Sequence, residues 1–236
     1  MIKLSKRLEE IVNLIDKNSK VADIGTDHGL VPNFLVENNI SSYIVASDIS
    51  EKSLEKTYEL VDDKYIDSKI HLRVGNGLEV IEKNEVDTVI LAGMGGILIS
   101  KLIERDFDKV ENLKKLILQP MQNQYELREY LYKNGFIFND QRIVYEEKKY
   151  FEIMDVSYKG EISKVDSIFY ELPYECYKRK DETFAEYLLY KIRKNKFILN
   201  KLAPEEKTKR IENKILELND KNERYEKLLW DIKSAK

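Results

Sequence analysis

From residue 20 to residue 133 the chain repeats one rhythm: a short apolar run, a polar turn, then a stretch with helical spacing. That alternation limits the available folds more than any single motif does. The runs at 20–24, 43–47, 70–74, 86–91 and 116–118 read as strands, and 29–37, 51–64, a segment ending near 104, and 124–133 read as helices. Strands alternating with helices predict βαβ units and a parallel sheet. The Gln119-Pro120 pair reads as a break after the fifth strand, since proline cannot donate to a ladder. Two longer extended runs, 136–145 and 150–158, are separated by Glu146-Glu147-Lys148-Lys149 and predict an antiparallel hairpin that finishes the sheet. Ahead of all this, Leu4, Leu8, Ile11 and Ile15 form one apolar stripe on a first helix.

After Tyr158 the rhythm changes. Residues 161–173 read as a connecting segment ending at Leu172-Pro173. Ala185, Leu188, Ile192, Asn195, Leu199 and Leu202 then follow 3–4 spacing, Pro204 breaks the helix, and Ile211, Ile215, Leu218, Asn222, Tyr225, Leu229 and Ile232 resume it. Two heptad helices around a tight break predict an antiparallel coiled-coil hairpin over 174–236. The 236 residues carry 35% charged side chains, above the roughly 25% of an ordinary domain, which agrees with exposed helices. Charge is unevenly spread. Residues 175–236 hold 17 Lys and Arg against 12 Asp and Glu, a net of +5, while the rest of the chain is at −8.

One cysteine, Cys176, and two histidines, His28 and His71, exclude a disulfide framework and a Cys/His zinc cluster, so no metal is expected. The longest nearly apolar run, 89–99, is too short and too glycine-rich to span a bilayer. The first residues lack an apolar signal core, and the sequence reads as a cytoplasmic protein without a membrane partner.

The chemistry concentrates at strand ends. Asp23-Ile24-Gly25-Thr26-Asp27-His28-Gly29 occupies the first strand-to-helix turn, where open α/β sheets bind ligands. The dinucleotide fingerprint fails there, because Asp27 stands where the second glycine belongs and would repel a pyrophosphate. A cationic ligand without phosphate suits that turn, and S-adenosylmethionine has a sulfonium, an ammonium and no phosphate. Asp48, ending the second strand, is placed to accept ribose hydroxyls. Gly75-Asn76-Gly77, ending the third, is placed at an adenine edge.

These stretches, with Lys3-Leu4-Ser5-Lys6-Arg7-Leu8, Leu91-Ala92-Gly93-Met94-Gly95-Gly96 and Leu118-Gln119-Pro120-Met121-Gln122, cover about the first 160 residues. In order and spacing they resemble the bacterial TrmK-type tRNA (adenine-N1)-methyltransferases, which modify adenine-22 of tRNA with S-adenosylmethionine. The resemblance implies a Rossmann-like class I methyltransferase sheet over 1–160 that uses S-adenosyl-L-methionine, followed by the helical hairpin, with tRNA as partner. It implies cofactor contacts from Asp23, Gly25, Thr26, Asp27, Asp48, Ile49, Asn76, Gly77, Ala92 and Gly93. It places Asp27, His28 and Met94 at the reacting atoms, and Arg7, Gly95, Gly96, Gln119 and Pro120 at the tRNA. Two other readings stay open: a noncatalytic RNA-binding protein that keeps the fold, and a methyltransferase with a non-RNA substrate.

Overall fold

A computed structural model describes residues 2–205 and 208–234. Its contacts divide the chain into two compact units, Met1–Pro173 and Tyr174–Lys236.

The first unit is built on one seven-stranded sheet. Its strands are β1 (Lys20–Ile24), β2 (Tyr43–Asp48), β3 (Ile70–Val74), β4 (Thr88–Gly95), β5 (Lys115–Gln122), β6 (Phe136–Glu146) and β7 (Lys149–Tyr158), in the spatial order β3-β2-β1-β4-β5-β7-β6. The first five strands pair in parallel, and β7 pairs antiparallel with both β5 and β6. The helices of this unit are α1 (Lys6–Val12), α2 (Leu30–Glu37), α3 (Glu51–Leu60), α4 (Gly96–Arg105), α5 (Phe107–Val110), α6 (Gln124–Lys133) and α7 (Ile168–Glu171). The central parallel strands β1, β2, β4 and β5 each carry consecutive apolar residues because both sheet faces are covered. Ala22, Ile24, Val45, Val89, Leu91 and Leu118 meet Leu102 and Ile103 of α4 and Leu127 and Leu131 of α6. On the other face Val21, Ile44, Ala46, Ile90 and Ile117 meet Leu4, Ile11 of α1 and Val31 and Leu35 of α2. Strand order reverses between β1 and β4, which opens a crevice beyond their carboxyl ends.

Several boundaries differ from those read in the sequence. The helix expected over 51–64 stops at Leu60. Val61 is extended and buried, and the Asp62 side chain accepts from the Lys64 amide at 3.1 Å to start a separate turn. The fourth strand does not end at Leu91 but continues through Gly95, and the fifth continues through Pro120 to Gln122. The expected break at Gln119-Pro120 is therefore absent. Pairing of β5 with β7 covers only Leu116 to Leu118, so the missing Pro120 N–H removes no bond on that side. The β6–β7 hairpin turns on Glu147 and Lys148, both left-handed at φ 47° and 63°. A two-residue turn of that hand matches the twist of its strands.

The second unit contains α8 (Tyr174–Arg179), α9 (Glu182–Leu202) and α10 (Lys209–Lys233). Within it α9 and α10 run antiparallel, with Asn195 Nδ2 donating to Asn222 Oδ1 at 3.0 Å, and the Tyr177 hydroxyl of α8 donates to Asp231 near the end of α10. Phe184, Leu188 and Ile192 of α9 and Leu218, Tyr225 and Ile232 of α10 are buried. A polar pair inside an apolar seam fixes register, because any slip leaves both amides without partners.

Candidate functional site

The turn after β1 requires unusual backbone at three positions: Gly25, His28 and Gly29 have φ of 77°, 57° and 64°. The amides of Gly25 and Thr26 both donate to the Ser47 carbonyl at 2.8 Å, which hooks the turn over the end of β2. Glycine at 25 is also needed for space, since a Cβ there would stand 2.5 Å from the Met94 methyl. The first and fourth strand ends are thus packed onto each other at the switch point.

Above this turn lies a cavity of about 400 Å³, within the size range of small-molecule sites. Of the residues expected at the site, Arg7, Asp23, Gly25, Thr26, Asp27, Asp48, Ala92, Gly93 and Met94 line it together. Asp23 is buried, and the loss of hydration pushes its carboxyl up to about 6; the Thr26 hydroxyl pulls the other way and the Asp27 charge adds to the rise. Asp48 Oδ1 accepts from the Ser50 amide at 2.7 Å, which orients the carboxylate at the cavity edge. Asp27 stands at the rim, 86% exposed, with Oδ1 2.5 Å from His28 Nδ1. Gly93, at φ 79°, has nothing within 4 Å of where a Cβ would be, so the backbone borders open space.

The remaining expected residues sit elsewhere. His28 pairs with Asp27 and does not line the cavity, and neither does Ile49, whose side chain is 73% exposed beyond β2. Asn76 is not among the residues that line the cavity; its main-chain N–H donates to Glu79 Oε1 at 2.6 Å and its main-chain carbonyl accepts from Arg105 at 2.6 Å. Gly77 makes room for Leu102, and Gly96 for the Asn123 carbonyl. Gly95 faces the Gln122 side chain. Gln119 and Pro120 are buried, with Gln119 holding Arg7 by a 2.6 Å bond from Nη1 to Oε1.

Leu8, Ile11, Leu30, Val31, Ser53 and Ile90 also line the cavity and were not singled out in the sequence. Leu8 and Ile11 belong to the α1 stripe, whose periodicity shows that a face is covered without showing what it covers. That helix is tied to the far end of the sheet: the Lys6 amide donates to Glu146 at 2.7 Å and Arg142 donates to Glu10 at 2.6 Å.

Residues 4–154 match the family described as a methyltransferase domain. A tRNA (adenine(22)-N(1))-methyltransferase of Bacillus subtilis (strain 168) is 36% identical over 166 residues, covering 67% of this chain and 70% of that protein. The crystal structure of the B. subtilis M1A22 tRNA methyltransferase TrmK superposes with a TM-score of 0.84 at 30% identity, over 97% of this chain and all of that one. Streptococcus pneumoniae Sp1610, solved in complex with S-adenosyl-L-methionine, gives 0.83 at 26% identity over 96% of this chain and all of that one. The matched residues include the whole lining of the cavity, and the chain belongs to the TrmK family of methyltransferases.

Proposed function

We propose that the protein transfers the methyl group of S-adenosylmethionine to N1 of adenine-22 in tRNA, and that it works in the cytoplasm, where that substrate is. The observation that carries this reading is the convergence of Asp23, Asp27 and Asp48 on one cavity at the strand-order reversal. Three carboxylates fit a donor with two cationic centres and a ribose diol, and the open face of Gly93 leaves a backbone cradle for a planar group. Among the described residues, no helix is long and apolar enough to cross a membrane.

S-adenosylmethionine supplies an electrophilic methyl on a cationic sulfur. Asp48 would accept from the ribose hydroxyls of the bound donor, and buried Asp23 would face its cationic amino-acid end. Adenine N1 carries a free lone pair in the neutral base, so no side chain has to remove a proton first. The protein has to take the base out of its pairing and hold it in line for attack. The adenine ring becomes cationic as N1 is methylated, and the rim carboxylate of Asp27 stabilises that charge. The Asp27–His28 contact fixes the direction of the carboxylate.

Incubation of unmodified tRNA with protein and donor should yield 1-methyladenosine by nucleoside mass spectrometry, and a tRNA with guanine at position 22 should yield none. Product on the guanine-22 tRNA would refute the position, and no product on either would refute the reaction. Asp48→Ala should weaken donor binding in calorimetry roughly ten- to hundredfold, the cost of lost charge-assisted hydrogen bonds.

The second unit is read as the arm that docks tRNA. Its net charge is +5, and Arg193, Lys194, Lys209 and Arg210 are exposed. Lys196 is shared with Glu226 at 3.3 Å, and Lys207, also a candidate, lies outside the described residues. A chain ending at Pro173 should keep its donor affinity and bind tRNA with a shallower salt dependence. Each phosphate contact removed should lower the log–log slope by about 0.7–0.9. An unchanged slope would take the tRNA contact away from this unit.

A further inference from the structure

We infer that Phe197 stacks on an unpaired base of the tRNA, so that the second unit docks on a loop rather than on a stem; this rests on the docking reading above. Phe197 lies on α9 and is 60% exposed. The seam of that helix runs through Leu188, Ile192 and Asn195, the first two buried and the third bonded to Asn222 of α10. At about 100° per residue, Phe197 stands on the side opposite that seam. Its neighbours three and four positions away are Arg193, Lys194, Asn200 and Lys201, all exposed. From Tyr187 to Pro204 the chain has five Lys and Arg and no Asp or Glu. Lys196 pairs with Glu226, whereas among the described residues Arg193, Lys194 and Lys201 have no carboxylate partner.

That setting selects the partner. A lone exposed apolar side chain needs no explanation, but a phenyl ring set among three cations without carboxylate partners suits a polyanion that also carries flat apolar faces. A second copy of the same face would set these cations against each other. In RNA the phosphates answer the cations and a base answers the ring. Bases inside an A-form stem are already stacked and out of reach, whereas loop bases can be splayed onto aromatic side chains. Lys201 Nζ lies 4.6 Å from the ring centroid, so a charge for the adjoining phosphate is already held beside the stacking surface. Leu216 of α10 is a contrast within the same unit. It is 66% exposed, but its neighbours at the same spacing are Glu212, Asn213, Asn219 and Asp220, whose two carboxylates repel a phosphate.

The test measures binding of unmodified tRNA and of a fully paired RNA duplex to the full chain by fluorescence anisotropy. Phe197→Ala should weaken tRNA binding roughly five- to hundredfold, the range for one lost base stack, with the salt slope unchanged. Duplex binding should stay the same. Phe197→Trp should retain tRNA affinity, Leu216→Ala should match the wild type, and Lys194→Ala should lower the slope by about 0.7–0.9. Equal losses on tRNA and duplex, or no loss on either, would overturn the stacking contact. So would a wild-type dimer in sedimentation that Phe197→Ala turns into a monomer while tRNA affinity holds. A tRNA affinity that depends on Phe197, in a protein that forms no 1-methyladenosine, would support the contact and refute the transferase reading alone.

Discussion

Asp23→Asn should make the ligand-free protein more stable and leave it a poor binder of the methyl donor. Burial holds the Asp23 carboxyl at about 6 in the folded chain, against an ordinary value of 3.8. The folded pKa lies above the unfolded one, so folding favours the protonated acid. That contribution is complete below about pH 3.8 and lost as pH rises through about 6. At pH 7.5 the ionised group therefore costs the empty fold on the order of 2–3 kcal/mol, and the amide removes that cost. Melting should rise by several degrees at pH 7.5, and the gap to the wild type should close as pH falls from about 6 towards 4. Donor affinity should fall at least tenfold in the variant, and in the wild type it should decline below about pH 6, where Asp23 takes up a proton. A melting gap that is the same at pH 7.5 and pH 4 would show that the charge is not the cause. The site keeps a destabilising group because the ligand needs it.

Arg128→Met should cost about 3–5 kcal/mol in urea unfolding, among the largest single-residue losses available in this chain. Arg128, on α6, has no exposed surface and pairs with Glu152 of β7, itself buried. Its Nη1 also donates to the Tyr170 carbonyl at 2.6 Å, which ties the end of α7 to the sheet. Removing the cation strands a carboxylate in a dry interior. Replacing both residues, as Arg128→Met with Glu152→Leu, should recover most of the loss, because the pair's attraction is largely offset by its desolvation. A double variant as unstable as the single one would mean that the bond to Tyr170, not the ion pair, carries the effect.

What could be read from sequence alone follows from what leaves a local signal. The parallel strands were visible because double-sided burial writes continuous apolar runs, as in Val89-Ile90-Leu91. Asp23 and Asp48 were visible because a carboxylate at the carboxyl end of such a run has little reason to be there apart from a turn or a ligand. The continuation of β4 through Gly93-Met94-Gly95 was not visible, since glycines carry no strand preference and the pairing with β5 that makes it a strand is long-range. Arg128 was equally silent. It lies in Tyr125-Glu126-Leu127-Arg128-Glu129, which looks like any solvated helix face until Glu152 is brought beneath it. Asn76 and Gly77 were expected at the ligand for their place after a strand; the Asn76 main chain is held by Glu79 and Arg105, Gly77 leaves room for Leu102, and neither lines the cavity.

The attachment of α1 has a consequence for biosynthesis. Arg7 leaves the ribosome 112 positions before its hydrogen-bond partner Gln119, and Lys6 leaves it 140 positions before the Glu146 carboxylate that receives its amide. A nascent chain stopped before β6 already contains Asp23, Asp48 and Gly93, but it has no Arg142 and no Glu146 to hold the first helix across them. Contacts this distant in sequence close late in folding. This helix is made before the strands that hold it, so the cavity acquires that wall only when the sheet's final hairpin has been synthesised.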